Sequence, residues 1–146
     1  MKRGIKFLAI ILCCFGIFAT VQYLVDEGRT KRQIFHLVNQ NIEVLLNDIR
    51  EQNYENSLKL PKIESVQALE DGIDFYCGGY GIVPSSHEYG FYYTYDDTPK
   101  GIWCGTKYCE SKLLEKDGDG YSTNKSQNYY YTQRICEHFY YYEVHF

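Results

Sequence analysis

Hydrophobic positions along the chain fall into three regimes. From Phe7 to Val25 no formal charge interrupts an apolar run, and only Thr20 and Gln22 soften it. As a helix rising ~1.5 Å per residue this run is roughly 28 Å long, about the thickness of a hydrocarbon core. The spacing therefore predicts a transmembrane helix over 7–25. From Gln33 to about Asn56 the period changes: Ile34, Leu37, Val38, Ile42, Leu45, Leu46 and Ile49 recur three and four apart among polar residues, one broad stripe of a long amphipathic helix. Asn53, Asn56 and Ser57 weaken it, and Pro61 constrains Leu60 away from helical geometry.

Beyond Pro61 the pattern alternates. SVQALEDG reads as a short turn or helical piece. In IDFYCGGYGIVP, Ile73, Phe75 and Cys77 alternate with Asp74 and Tyr76, and the glycines allow a bend or bulge. EYGFYYTYDD puts Tyr89, Phe91, Tyr93 and Tyr95 on one side of a strand and Tyr92 and Thr94 on the other. GIWCG is a candidate return strand, and DDTPKG and KDGDGYS are turn signals. The last stretch, Asn128–Phe146, fits one bent strand or two joined by a tight bend. Tyr130, Thr132, Arg134, Cys136, His138, Tyr140, Tyr142, Val144 and Phe146 share one register, and Tyr129, Tyr131, Ile135, Phe139 and Tyr141 the other. Tyrosine suits both faces, because its ring packs while its hydroxyl finds water or a partner.

These elements predict an α+β architecture: a basic tail (1–6), a transmembrane signal-anchor (7–25), a juxtamembrane segment and long amphipathic helix (26–60), and a small, disulfide-bonded, Tyr-rich antiparallel sheet (61–146) on which that helix packs. Lys2, Arg3 and Lys6 before the apolar run place the N-terminus in the cytoplasm and the C-terminal domain outside it, in a compartment such as the periplasm. The other account of the same residues is a secretory signal cut near Ala19, which exports the same domain.

Composition narrows the partners. The 146 residues include 16 Tyr and carry a formal charge of -4. All 19 acidic residues lie at or after Asp26, where only 12 of the 15 basic ones remain. A polyphosphate partner meets net repulsion there, so nucleic acid is disfavoured.

Gly4 ahead of an apolar stretch and a long helix resembles the N-terminus of type IV pilin and pseudopilin subunits, which implies an assembly subunit. The chain departs from that pattern at Ala9, where the family usually places an acid, and at Lys6, where it tends to be uncharged.

Four cysteines follow the apolar run: Cys77, Cys104, Cys109 and Cys136. In an exported domain they read as two disulfides with three pairings open. The favoured set closes the GTKY loop with Cys104–Cys109 and ties first strand to last with Cys77–Cys136. A zinc site fits less well, since Cys77 and Cys136 form no second close pair. DGDG matches half a calcium loop, but Tyr121 stands at the next ligand position, so a turn is the simpler reading. GGYG has no phosphate-loop lysine. No metal or cofactor is expected.

Glu137, His138, Glu143, His145 and the His87-Glu88 pair are the materials for acid–base chemistry, yet no nucleophile elbow or metal-binding HExxH accompanies them. The expectation is a non-catalytic, membrane-anchored protein-interaction or inhibitor domain, with Tyr89, Tyr93, Tyr95, Trp103, Tyr140 and Tyr142 as its candidate surface. A carbohydrate-binding or carbohydrate-processing domain that stacks sugars on the same rings is the alternative.

Overall fold

Alternating aromatic and β-branched residues dominate the chain after Pro61, and they build one large sheet. The computed structural model describes residues 30–82, 85–101, 103–104, 107–108, 114–123 and 129–146. Helix α1 occupies residues 30–40 and α2 Ile42–Glu51, followed by a 3-10 turn at Ser57–Lys59. The strands are β1 (Ser65–Ala68), β2 (Gly72–Ile82), β3 (Ser85–Thr94), β4 (Trp103–Cys104), β5 (Lys107–Tyr108), β6 (Leu114–Asp117), β7 (Gly120–Thr123), β8 (Tyr129–Cys136) and β9 (Phe139–His145). Seven of them form an antiparallel sheet in the order β1-β2-β3-β9-β8-β7-β6, and β4 and β5 pair separately.

Both faces of this sheet are filled, because β2, β3, β8 and β9 carry rings in both registers. On one face Phe75, Phe91, Phe139 and Tyr141 meet Ile34, Leu37, Val38 and Leu45 of the two helices. Phe75 and Phe91 stack at 4.6 Å, and full burial of such rings is worth about 2–3 kcal/mol each. On the other face Tyr92, Tyr130, Tyr140, Tyr142 and Val144 form a second cluster. Segment 95–101 is fastened there through phenol hydroxyls: the Lys100 N–H donates to Tyr92 Oη at 3.0 Å and Tyr130 Oη donates to the Lys100 carbonyl at 3.0 Å. Asp97 completes the seam, accepting from the His138 N–H at 2.8 Å and pairing with Arg134.

The structure corrects the expected fold class. Seven strands replace the small sheet, and two short helices replace the long amphipathic one. Asn41 makes the break: its φ of -119° leaves the helix, and its side-chain amide donates to the Leu37 carbonyl at 2.8 Å in competition with the helical ladder. SVQA, read as part of a short turn or helical piece, is edge strand β1, held in register with Ile73–Tyr76 of β2.

The expected Cys77–Cys136 disulfide is also corrected: both thiols are free. Strand order explains why. Cys77 lies in β2 and Cys136 in β8, with β3 and β9 between them, so the three inter-strand steps alone span roughly 14 Å, already twice a bridge's Cα reach, and the register offsets the two along the strands as well. The Cys104–Cys109 pairing falls outside the described residues, which contain no disulfide. No helix among the described residues is long and apolar enough to cross a membrane, so the single-pass topology and the location inferred from it are without support. Residues 7–25, which carried that expectation, lie outside the described residues, as do the pilin-like Gly4, Lys6 and Ala9.

Candidate binding surface at one end of the sheet

Neighbouring strands place opposed residues on the same face, so register converts four distant sequence positions into one row. Tyr80 of β2 opposes His87 of β3, His87 opposes His145 of β9, and His145 opposes Tyr129 of β8. The rings touch in that order. Tyr80 stacks on His87 at 4.8 Å with planes 5° apart, His87 meets His145 edge-on at 4.1 Å, and Tyr129 meets His145 at 5.2 Å. Behind this row stands a second, Tyr89, Glu143 and Tyr131, and behind that the buried Phe91 and Tyr141 of the helix-covered core. The face thus grades from a sealed aromatic interior to half-buried rings at its end, where Tyr80 is 43% exposed.

Polar contacts hold the rows in place. Tyr141 Oη donates to Glu143 Oε2 at 2.7 Å, Tyr131 Oη donates to Gln133 Oε1 at 3.0 Å, and Tyr129 Oη donates to Asp117 Oδ2 at 3.3 Å. Burial, with Glu143 and Asp117 nearby, pushes the Tyr131 phenol up to about 12, and burial with the same two carboxylates raises Tyr129 further. These phenols stay neutral donors. His145 is shifted down, first by burial and then by His87, against a smaller pull from Glu143, whose Oε1 stands 4.0 Å from Nε2. The imidazole is neutral near pH 7.

The arrangement offers flat rings and neutral phenol hydroxyls, which suits recognition better than bond-making. Burial drives the Cys77 thiol well above its ordinary value and raises Cys136 too, leaving both as protonated, weak nucleophiles. Among the described residues no group of three or more His, Cys, Asp or Glu side chains is placed to hold a metal ion. An open depression of about 500 Å³ on α2, lined by Glu43, Val44, Asn47, Asp48 and Asn56, offers little, since both Asp48 oxygens already accept from Asn56 and Ser57.

The six tyrosine and tryptophan positions singled out by sequence do not form one patch. Tyr89 belongs to the second row. Tyr93 and Tyr95 sit at the other end of β3, where Tyr93 stacks on His138 at 5.2 Å and Tyr95 is 53% exposed. Tyr140 and Tyr142, at 3% and 5% exposure, are interior residues of the second face. Trp103 lies in β4, and its side chain is outside the described residues. Of the acid–base candidates, His87, Glu143 and His145 converge, while Glu88, opposite Val144, points to the other face and Glu137 and His138 form the β8–β9 turn. Sequence reasoning missed Tyr80 and Tyr129 as site residues. Tyr129 shared a register with Tyr131 and Tyr141, a usable signal, but nothing local linked Tyr80 to Tyr129 and His145, which lie 49 and 65 residues further along the chain.

No protein-family model, curated protein or solved structure matches this chain.

Proposed function

We propose that this chain is a protein-interaction domain whose partner docks on the end of the sheet formed by Tyr80, His87, His145 and Tyr129. The observation that carries the reading is the in-register row of four rings, half-buried and closed on one side by the aromatic core. Rings fixed by strand pairing lose little conformational entropy on binding, and tyrosine is enriched where partners bury rings but still hydrogen-bond. The His145 imidazole held down by burial, protonated thiols and a carboxylate already bonded to Tyr141 favour holding a partner over turnover.

A carbohydrate ligand is the second reading, favoured by Tyr80 itself. Its ring is stacked on His87, and the residue is 43% exposed. A sugar face fits such a platform.

A photo-crosslinking residue at position 80, with a control at position 95, separates these readings. The protein reading expects a defined partner captured from position 80 and not from 95. Equal capture from both positions, or none, refutes it, and specific glycan-array binding lost in Tyr80→Ala establishes the sugar reading instead.

A further inference from the structure

The two edges of the seven-stranded sheet are built differently. β6 carries Glu115, Lys116 and Asp117, charges of the kind that keep an edge strand from adding another. β1 has no charge, no proline and no break in its register, and Ser65, Gln67 and Ala68 are exposed. We propose that the outer edge of β1 pairs antiparallel with β1 of a second copy of this chain, about a twofold axis at Gln67.

Backbone phase leaves this edge ready to pair. The Leu69 N–H donates to the Gly72 carbonyl at 2.8 Å, and bonded residues alternate along an antiparallel ladder, so Ser65 and Gln67 bond to β2. The N–H and C=O groups of Val66 and Ala68 therefore point outward, and among the described residues no strand lies beyond them. With Gln67 on the axis, Val66 of each copy opposes Ala68 of the other, which gives about four backbone bonds. A shift of two residues either way keeps the phase but loses about half of them. Side chains match as well. Val66 and Ala68 stand opposite Phe75 and Ile73 on the helix-covered face and Ser65 and Gln67 on the other, so the twofold sets apolar beside apolar and polar beside polar. Leu58, 47% exposed on the 3-10 turn beside β1, adds apolar surface near the edge. Lys59 and Lys62 precede the strand and Glu70 and Asp71 follow it, so antiparallel pairing brings each basic start towards an acidic end. Glu64 leans back across β2, its Oε1 2.9 Å from where a Cβ on Gly78 would stand. The pairing uses neither Tyr80 nor the other rings of its row, and so stands apart from the proposed docking site.

The test is sedimentation velocity of the full-length chain from about 5 to about 500 µM, a range suited to the weak pair that so short an edge makes. The expected result is a reversible monomer–dimer equilibrium. Gln67→Lys and Gln67→Glu, at an exposed position that leaves the fold intact, each set like charges directly opposite across the axis, and each should weaken association about tenfold. Mixed in equal amounts, the two variants should associate at least as well as the parent chain, because opposite charges then face each other. Monomer at every concentration, association that neither substitution weakens, or weakening that mixing does not reverse overturns the proposal. The last of these would give the edge to an unlike strand.

Discussion

Asp48 sits with its carboxylate out of water and both oxygens taken: Oδ2 accepts from the Ser57 N–H at 2.7 Å and the Ser57 hydroxyl at 2.8 Å, and Oδ1 from Asn56 at 3.0 Å. Burial by itself would raise its pKa, but these bonds outweigh burial and the net shift is downward. The carboxylate thus links α2 to the 3-10 turn. Asp48→Ala should lower unfolding free energy by about 2 kcal/mol in a denaturant titration, since it strands the Ser57 N–H as well as removing the acceptor. In sequence Asp48 looked like one more polar residue between stripe positions, because periodicity cannot register a carboxylate buried by its own loop. Tyr92 plays the same part on the other face, where its hydroxyl sits 2.6 Å from Thr132 Oγ1 and receives the Lys100 N–H. Tyr92→Phe keeps the ring and should still cost about 1–2 kcal/mol by the same measurement.

Element by element, what could be read from the chain was what local pattern determines. Ile34, Leu37, Val38 and Leu45 face the core as their spacing indicated, and the alternation of Tyr129–Tyr142 matches the two buried faces of the β8–β9 hairpin. The KDGDGY signal became the β6–β7 turn. β1 escaped notice because only Val66 among its four residues turns partly inward, so it has no alternation to detect. The helix break escaped notice because Asn41 leaves the apolar stripe undisturbed. Cysteine count carried no distance information, and strand order, a non-local property, put Cys77 and Cys136 far apart. Their free state has a measurable consequence. Iodoacetamide at neutral pH should label half-buried Cys136 faster than buried Cys77, whose protection should persist until the protein unfolds, as peptide mass spectrometry can show. Close packing between strands gives another prediction. A Cβ at Gly90 would meet the Tyr142 ring at 2.8 Å and crowd the Phe75 carbonyl, so Gly90→Ala should destabilise the fold by about 2–3 kcal/mol in denaturant melts.

For the whole molecule, a seven-stranded sheet with tyrosine on both faces accounts for the aromatic content of residues 129–146. One set of rings packs under helices, the other under segment 95–101, and the hydroxyls serve as fasteners. The sheet also makes stability depend on pH. The folded His145 binds its proton more weakly than the unfolded chain, whose value is 6.5, so the unfolded state gains protons first on acidification. That stabilisation is complete above about pH 6.5 and is lost as pH falls through the window below it, which thermal melts across pH 7.5 to 5 should record as a falling midpoint, with less of a fall in His145→Phe. The same long-range pairing that creates this sensitivity assembles Tyr80, His87, His145 and Tyr129, a site that no local window of sequence contains. The most direct measurement of that site is partner affinity by titration calorimetry for Tyr80→Ala and Tyr95→Ala, both checked for an intact fold. The account predicts a loss of about tenfold or more for Tyr80→Ala and an unchanged affinity for Tyr95→Ala. Unchanged binding by Tyr80→Ala, or an equal loss in both, would contradict it.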